Sequence, residues 1–292
     1  MKLLFIHGRA QQGKNPILLK NIWVDTLIEG LDSIGLNLPI NTENILLPYY
    51  GDLLHELTTS FSSSIKDVIE KGSTSTKDKE FFMEFLLDIT SNSTIDVDSI
   101  GSHLEDQIIE KGPSNWSWVQ AILSAIDSNT NWGDAAIKRF TFDVYLYLTY
   151  TAVKARIESI IEANLLEDEE YVVVGHSLGS IIGYNILREK KNIKVIKYIT
   201  LGSPLGISAV KKRLKTPLKM PPCIEKGWLN AYDDRDIVAL NSLDKSNFNI
   251  TSEINNISDV DNKTDNRHGI IGYLNDKRVA KIIYESVKNG ST

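Results

Sequence analysis

Hydrophobic and polar positions divide most of this chain into two alternating kinds of segment. The first kind is a short run of β-branched and other apolar residues, which predicts a buried strand. These runs lie at 2–6, 45–48, 171–174, 193–201 and 228–232, with a weaker one near 248–257. The second kind has apolar residues at helical spacing, at 16–35, 141–164 and 270–288. Because strands and helices alternate, we predict an α/β fold with a doubly wound, mostly parallel sheet, and a site at the carboxyl ends of its strands.

The alternation stops in the middle of the chain. Residues 52–139 are rich in Ser, Thr and Asp and contain only short amphipathic pieces. A structureless loop of that length is improbable inside a compact domain, so we predict that the segment is mainly helical. The expected organisation is a core formed by 1–51 and 140–292, with 52–139 inserted as a helical lid above the site.

Aromatic residues are scattered through this insertion. As wall residues for an apolar substrate pocket, the candidates are Phe81, Phe82, Phe85, Trp116 and Trp118. The alternative is that they form a small core of the insertion itself. The polar stretch 71–79 is expected to be flexible.

Composition and charge restrict the partners. The chain has 292 residues, 42% hydrophobic and 24% charged, with a net charge of −6. Nothing in this balance indicates a nucleic-acid partner. The one basic run, Lys211 to Lys215, is interpreted first as a solvated face and second as a peripheral contact with anionic lipid.

Cellular location follows from cysteine and hydropathy. The single cysteine, Cys223, excludes an internal disulfide and suits a reducing compartment. The apolar residues at the start of the chain form the first predicted strand, so we expect no signal peptide. No apolar run approaches the about 18 residues of a membrane span. We therefore expect a cytoplasmic protein without an integral membrane segment, whose oligomeric state is left open.

The most informative motif is the sequence Gly175-His176-Ser177-Leu178-Gly179. It follows an apolar β-branched run directly and precedes helix-compatible sequence. A G-x-S-x-G motif between a strand and a helix is the arrangement of a nucleophile elbow, a sharp turn that lifts a serine hydroxyl above the sheet. The elbow predicts that Ser177 is a nucleophile.

A serine nucleophile needs a base and an acid, which follow such an elbow in the order acid, then histidine. Of five histidines, only His268 lies after Ser177, in a polar loop. For the acid, aspartates compete in the loop after the strand at 228–232. Asp236 is preferred because it precedes an apolar pair that can anchor the loop; Asp233, nearest the strand end, is the alternative.

These motifs together resemble the α/β-hydrolases of the lipase and esterase kind. The matching residues are Phe5-Ile6-His7-Gly8, Gly175 to Gly179, Leu201-Gly202-Ser203-Pro204, Asp233 to Val238 and His268-Gly269. The likeness covers 1–50 and roughly 140–290, and does not reach the middle of the chain.

The resemblance implies hydrolysis of carboxylic esters or thioesters without a cofactor or a metal. It also implies an oxyanion hole formed by the backbone N–H groups of Leu178 and Arg9, with His7 shaping the loop. The Arg9 side chain is expected to face solvent, with an anionic substrate group as the alternative partner.

The expected substrate is a small-molecule or lipid ester. A thioesterase or an acyltransferase would use the same acyl-Ser177, so the sequence leaves both open. A further alternative is a protein of this fold whose insertion binds a protein partner.

Overall fold

The computed structural model describes residues 1–71, 76–91, 93 and 116–290, without the side chains of 62–71, 76–78, 116 and 117. The stretch 71–79, predicted to be flexible, therefore lies largely outside the described residues. The side chain of Trp116 lies wholly outside them. The strands are β1 Lys2–Ile6, β2 Ile45–Leu46, β3 Glu170–His176, β4 Lys194–Leu201, β5 Trp228–Ala231 and β6 Asn255–Ile257.

Helices occupy most of the remaining described chain. They are α1 Pro16–Asp32, α2 Gly51–Lys71, α3 Thr76–Ser91, α4 Trp116–Asn129, α5 Asp134–Thr149, α6 Thr151–Glu162, α7 Leu178–Leu187, α8 Ser208–Lys211, α9 Ile270–Leu274 and α10 Lys277–Gly290. Short 3₁₀ turns lie at Thr42–Asn44 and Pro204–Gly206.

The six strands form one parallel sheet in the order β2-β1-β3-β4-β5-β6. The chain first moves outward from β1 to β2 and then returns to place β3 on the other side of β1. Loops leaving β1 and β3 therefore diverge, which opens a crevice at the carboxyl ends of these strands. Ser177 follows β3 at this point, and Gly8 and Arg9 follow β1.

Helices cover both faces of the sheet, so its strands are apolar on both faces. Alternate residues of β1 divide between two cores. Leu4 and Ile6 belong to a core shared with α2 to α7, whereas Leu3 and Phe5 belong to a core shared with α1, α9 and α10. This architecture agrees with the predicted α/β class and the parallel sheet.

Two predicted helices are each divided in the structure, so these predictions were wrong in detail. The segment 141–164 is interrupted at Tyr150, whose φ of −100° and ψ of 106° are extended. The Tyr150 ring packs 4.6 Å from that of Phe61, a contact outside the local pattern. The C-terminal segment 270–288 is divided between Leu274 and Lys277. Helix α5 starts at Asp134, so it runs through the boundary predicted at 139/140 between the insertion and the core.

The described part of 52–139 is mainly helical and shares an apolar core with the sheet. Phe81, Phe85 and Trp118 are at most 4% exposed and share one apolar core with Leu4 and Leu178. Among the described residues, no helix is both long and apolar enough to cross a bilayer.

Candidate active site

Ser177 occupies a strained turn between β3 and α7. Its φ of 56° lies in the left-handed region, which is uncommon for a residue with a side chain. The glycines of the motif permit this turn. A Cβ on Gly179 would lie 2.1 Å from the Ile6 carbonyl oxygen, and one on Gly175 would lie 2.8 Å from the Gly179 carbonyl oxygen. Only residues without side chains let α7 begin this close to β1 and β3.

The structure brings the three predicted side chains together. His268 Nε2 lies 2.8 Å from Ser177 Oγ, and His268 Nδ1 lies 2.6 Å from Asp236 Oδ2. Ser177, His268 and Asp236 are 1%, 7% and 0% exposed, respectively. A hydroxyl, an imidazole and a carboxylate in this order allow proton transfer from the serine to the histidine, with the carboxylate fixing the ring.

The alternative acid, Asp233, is also fully buried but has other partners. Its carboxylate accepts hydrogen bonds from the backbone N–H groups of Arg235 and Asn262, at 2.8 and 2.9 Å. It also pairs with Arg267 at 3.2 Å. These contacts tie the loop after β5 to the segment that carries His268.

Two further side chains hold this arrangement, and the sequence analysis missed both. The Tyr273 hydroxyl donates to Asp236 Oδ2 at 2.6 Å, the same oxygen that accepts from His268. His176 Nε2–H donates to the His268 backbone carbonyl at 2.8 Å. Burial lowers the pKa of His176 well below its usual value, so this ring stays neutral. His176 lies within the elbow motif, and Tyr273 lies five residues after His268, so position alone offered a signal.

His7 shapes the loop after β1, in agreement with its implied role. Its Nδ1–H donates to the Gly8 carbonyl at 2.7 Å, and its Nε2 accepts from the Tyr50 backbone N–H at 3.1 Å. Only the neutral ring can make both hydrogen bonds. Burial lowers the pKa of His7 to about 4, which keeps the ring neutral near pH 7.

The loop shaped by His7 reaches the serine directly. A Cβ on Gly8 would lie 2.8 Å from Ser177 Cβ, and Arg9 lines the same cavity as Ser177. The Arg9 side chain does not face solvent as expected, because its Nε donates to Asp143 Oδ2 at 2.6 Å. Thr58 Oγ1 donates to the other oxygen of Asp143 at 3.0 Å. This pairing fixes the loop against α5.

A cavity of about 320 Å³ opens beside Ser177. Its walls come from the loop after β1, α1, the start of α5 and the His268 segment. Its aromatic side chains are Trp23, Trp132 and Phe140. Of the aromatics proposed from the insertion, the four whose side chains are described do not line it. Phe81, Phe82, Phe85 and Trp118 lie in the core shared with the sheet.

Trp132 and Phe140 pack against the imidazole of His268. Their ring centroids lie 5.1 and 5.7 Å from that of His268. In the part of the chain that the structure describes, the indole N–H groups of Trp23 and Trp132 are buried and have no hydrogen-bond partner. The cavity is therefore largely apolar close to His268, with two unpaired donors among its wall residues.

Comparison with known proteins adds no assignment to this geometry. No protein-family model matches the chain, and no curated protein matches it.

Proposed function

We propose that the protein is a serine hydrolase of the α/β-hydrolase, lipase and esterase kind, which cleaves carboxylic esters through an acyl-enzyme on Ser177. The observation that carries the proposal is the unbroken hydrogen-bond chain from Ser177 through His268 to Asp236. The strained elbow and the switch point between β1 and β3 support it, because the serine follows β3 at this crevice and lines the cavity.

In the proposed reaction, His268 takes the proton of Ser177 as the hydroxyl oxygen attacks the ester carbonyl. The backbone N–H groups of Leu178 and Arg9 stabilise the oxyanion, each by about 3 kcal/mol. His268 then gives its proton to the departing alcohol. Water, activated by the same ring, attacks the acyl-enzyme and releases the acid. Asp236 holds the ring in the useful tautomer and stabilises the imidazolium.

The cavity supports an apolar acyl group, with a wall different from the one first expected. Trp23, Trp132 and Phe140 are its aromatic side chains, in place of the aromatics first expected. A lid role for 52–139 remains part of the proposal. Trp132 supports it, because this residue belongs to that segment and its ring packs against His268.

The test is covalent labelling by a fluorophosphonate probe together with turnover of soluble nitrophenyl esters. Ser177→Ala should abolish labelling and lower kcat by about 10⁶-fold. Ser203→Ala is the matched control, because Ser203 is another buried serine at this edge, hydrogen-bonded to Ser180 at 2.7 Å. Labelling that persists in Ser177→Ala would reject the proposal.

The thioesterase and acyltransferase alternatives share every step up to the acyl-enzyme. They separate from the esterase in the second half of the reaction. Acyl-CoA turnover would favour the thioesterase, and transfer of the acyl group to an added alcohol would favour the acyltransferase. If the wild-type chain is neither labelled nor active, the partner-binding alternative becomes the better account.

A further inference from the structure

Exposed apolar side chains concentrate around the mouth of the Ser177 cavity. Among the described residues, six large apolar side chains are strongly exposed. Four of these lie on two helices that begin beside the cavity: Ile17, Leu18, Ile22 and Ile271, at 69%, 61%, 47% and 45% exposure. We refer to these four residues as the apolar rim. An isolated exposed apolar residue needs no explanation, but such a group beside a cavity indicates a binding surface.

The fold explains why the four side chains meet. Helix α1 follows the loop after β1, and α9 follows His268, so both helices start at the edge of the sheet where Ser177 lies. Leu18 and Ile22 are one helical turn apart on the same face of α1. Ile22 and Ile271 also line the cavity, which makes the rim continuous with the cavity wall.

The two segments that carry the rim contain more cations than carboxylates, whereas the whole chain is acidic. Residues 9–24 contain three cations and no carboxylate, and 266–275 contain one cation and no carboxylate, although the net charge is −6. Arg9 and Arg267 are paired with buried aspartates. The uncompensated charge therefore comes from the two lysines of the first segment.

These lysines bond to uncharged oxygens. Lys14 Nζ donates to Gln11 Oε1 at 3.0 Å, and Lys20 Nζ donates to the carbonyl oxygens of Thr42 and Ile45. Asp52, which accepts a hydrogen bond from Gly13 N–H, adds a negative charge beside this segment. The apolar side chains should therefore contribute most of the affinity, and the lysines should select the sign of the partner's charge.

We infer that the apolar rim docks the protein on an anionic lipid surface and holds the mouth of the Ser177 cavity against it. A second copy of the chain fits less well, because a stable protein interface uses about 20–30 residues a side. Lipid can accept a small apolar group flanked by cations, since side chains insert among the acyl chains while lysines remain at the headgroups. The inference that Ser177 then acts on ester bonds of this surface rests on the proposed function.

The basic run Lys211 to Lys215 is less suited to this contact. Lys212 pairs with Glu84, and Lys215 pairs with Glu189. The Arg213 guanidinium lies 4.3 Å from the centre of the Phe81 ring. These three cations already have partners within the protein. We therefore propose the lipid contact at the apolar rim and not at this basic run.

The test is co-sedimentation of the full chain with vesicles of phosphatidylcholine alone and of phosphatidylcholine mixed with phosphatidylglycerol. Ser177→Ala should bind the mixed vesicles as the wild type does, so binding is measured without turnover. Lys14→Gln should weaken binding to the mixed vesicles by at most about fivefold. Equal binding of the wild type to both vesicles would overturn the anionic part of the inference.

The decisive variant is Ile17→Glu combined with Leu18→Glu, which should lower the partition coefficient on mixed vesicles by about tenfold or more. Both positions lie in the first turn of α1, where the helix dipole favours acidic side chains, so the variant should fold. Neither residue lines the cavity, so turnover of a soluble nitrophenyl ester should be unchanged.

The matched control is Leu166→Glu. Leu166 is 55% exposed but lies just before β3, at the opposite edge of the sheet from Ser177. This variant should bind vesicles like the wild type. Failure of the wild type to bind mixed vesicles, or equal losses in the double variant and the control, would overturn the inference. So would a dimer in sedimentation velocity that the double variant dissociates, because the rim would then join two copies. An absence of soluble ester turnover by the wild type would instead reject the proposed function.

Discussion

Two buried aspartates, three residues apart, lie in very different surroundings. Asp236 accepts hydrogen bonds from His268 and Tyr273 through the same oxygen, and it leads towards Ser177. Asp233 accepts from backbone N–H groups and pairs with Arg235 and Arg267. Both carboxylates are 0% exposed, so burial does not separate them. Their partners do: one carboxylate faces a group that can move a proton, and the other faces fixed cations and amides.

Under the proposed function, the difference separates a reactive network from an anchoring network. The reactive network comprises Ser177, His268, Asp236 and Tyr273. The anchoring network is centred on Asp233 and fixes the loops that present the reactive side chains. Changes in the reactive network should lower turnover with little loss of stability, and changes in the anchoring network should do the reverse.

Of the changes that test this comparison, Asp236→Asn should have the largest effect. The amide cannot hold the His268 tautomer that accepts the serine proton, so kcat should fall by about 10⁴-fold. The measurement is nitrophenyl ester turnover, with the thermal midpoint recorded in parallel. Asp233→Asn is the matched variant and should lose less than about tenfold. If Asp233→Asn were the damaging change and Asp236→Asn remained active, the assignment of the acid would be reversed.

Acidification should weaken the scaffold behind the serine. The pKa of His7 is lowered from 6.5 to about 4 by burial, and that of His176 is lowered in the same direction. Below about pH 6.5, these two histidines therefore bind protons in the unfolded chain but remain neutral in the folded chain. The free energy of unfolding should fall with pH through this range, by about 3 kcal/mol for His7 once pH reaches about 4.

Urea unfolding at about pH 7 and about pH 5 measures this loss. His176→Gln should flatten the dependence of stability on pH, because the glutamine side chain does not titrate. His55→Gln is the control, since it makes the same substitution at an exposed histidine. An equal dependence on pH in all three proteins would show that the buried histidines do not cause the loss.

Asp233→Asn should mainly reduce stability. The amide loses the charge that pairs with Arg235 and Arg267, but both arginines are partly exposed and can be resolvated. We expect a loss of about 2 kcal/mol in the free energy of unfolding, measured by urea denaturation. Asp234→Asn is the exposed control and should change the stability by less than about 0.5 kcal/mol. A loss in Asp234→Asn equal to that in Asp233→Asn would contradict the separate anchoring role of Asp233.

The smallest effect should come from Tyr273→Phe. The phenol keeps its proton, because burial raises the pKa of Tyr273 well above its usual value, so it donates to Asp236 throughout the working range. Its removal leaves His268 and Asp236 in contact, so we expect kcat to fall by about tenfold with KM unchanged. Tyr284→Phe, on a partly buried helix face, should have no effect. A rise in KM without a change in kcat would instead place Tyr273 in substrate binding.

The insertion shows where local pattern was insufficient. Its amphipathic pieces correctly predict helices, but they do not say which surface those helices cover. Phe81 and Trp118 pack into the sheet core, whereas Trp132, in a polar loop between two helices, packs against His268. A buried aromatic and a cavity wall have the same local sequence signature, since both are apolar positions on an otherwise polar segment.

The sequence by itself predicted the strands, the glycine-flanked turn, and the serine and histidine that the structure brings into contact. Strand runs buried on both faces are continuous in sequence, the elbow needs glycines at fixed spacing, and His268 is the only histidine after Ser177. Only the tertiary structure showed that Asp236 contacts His268, paired Arg9 with Asp143, and brought Tyr273 and His176 to the site. These contacts join residues distant in sequence or separated by irregular loops, and their geometry depends on how the loops pack rather than on any local period.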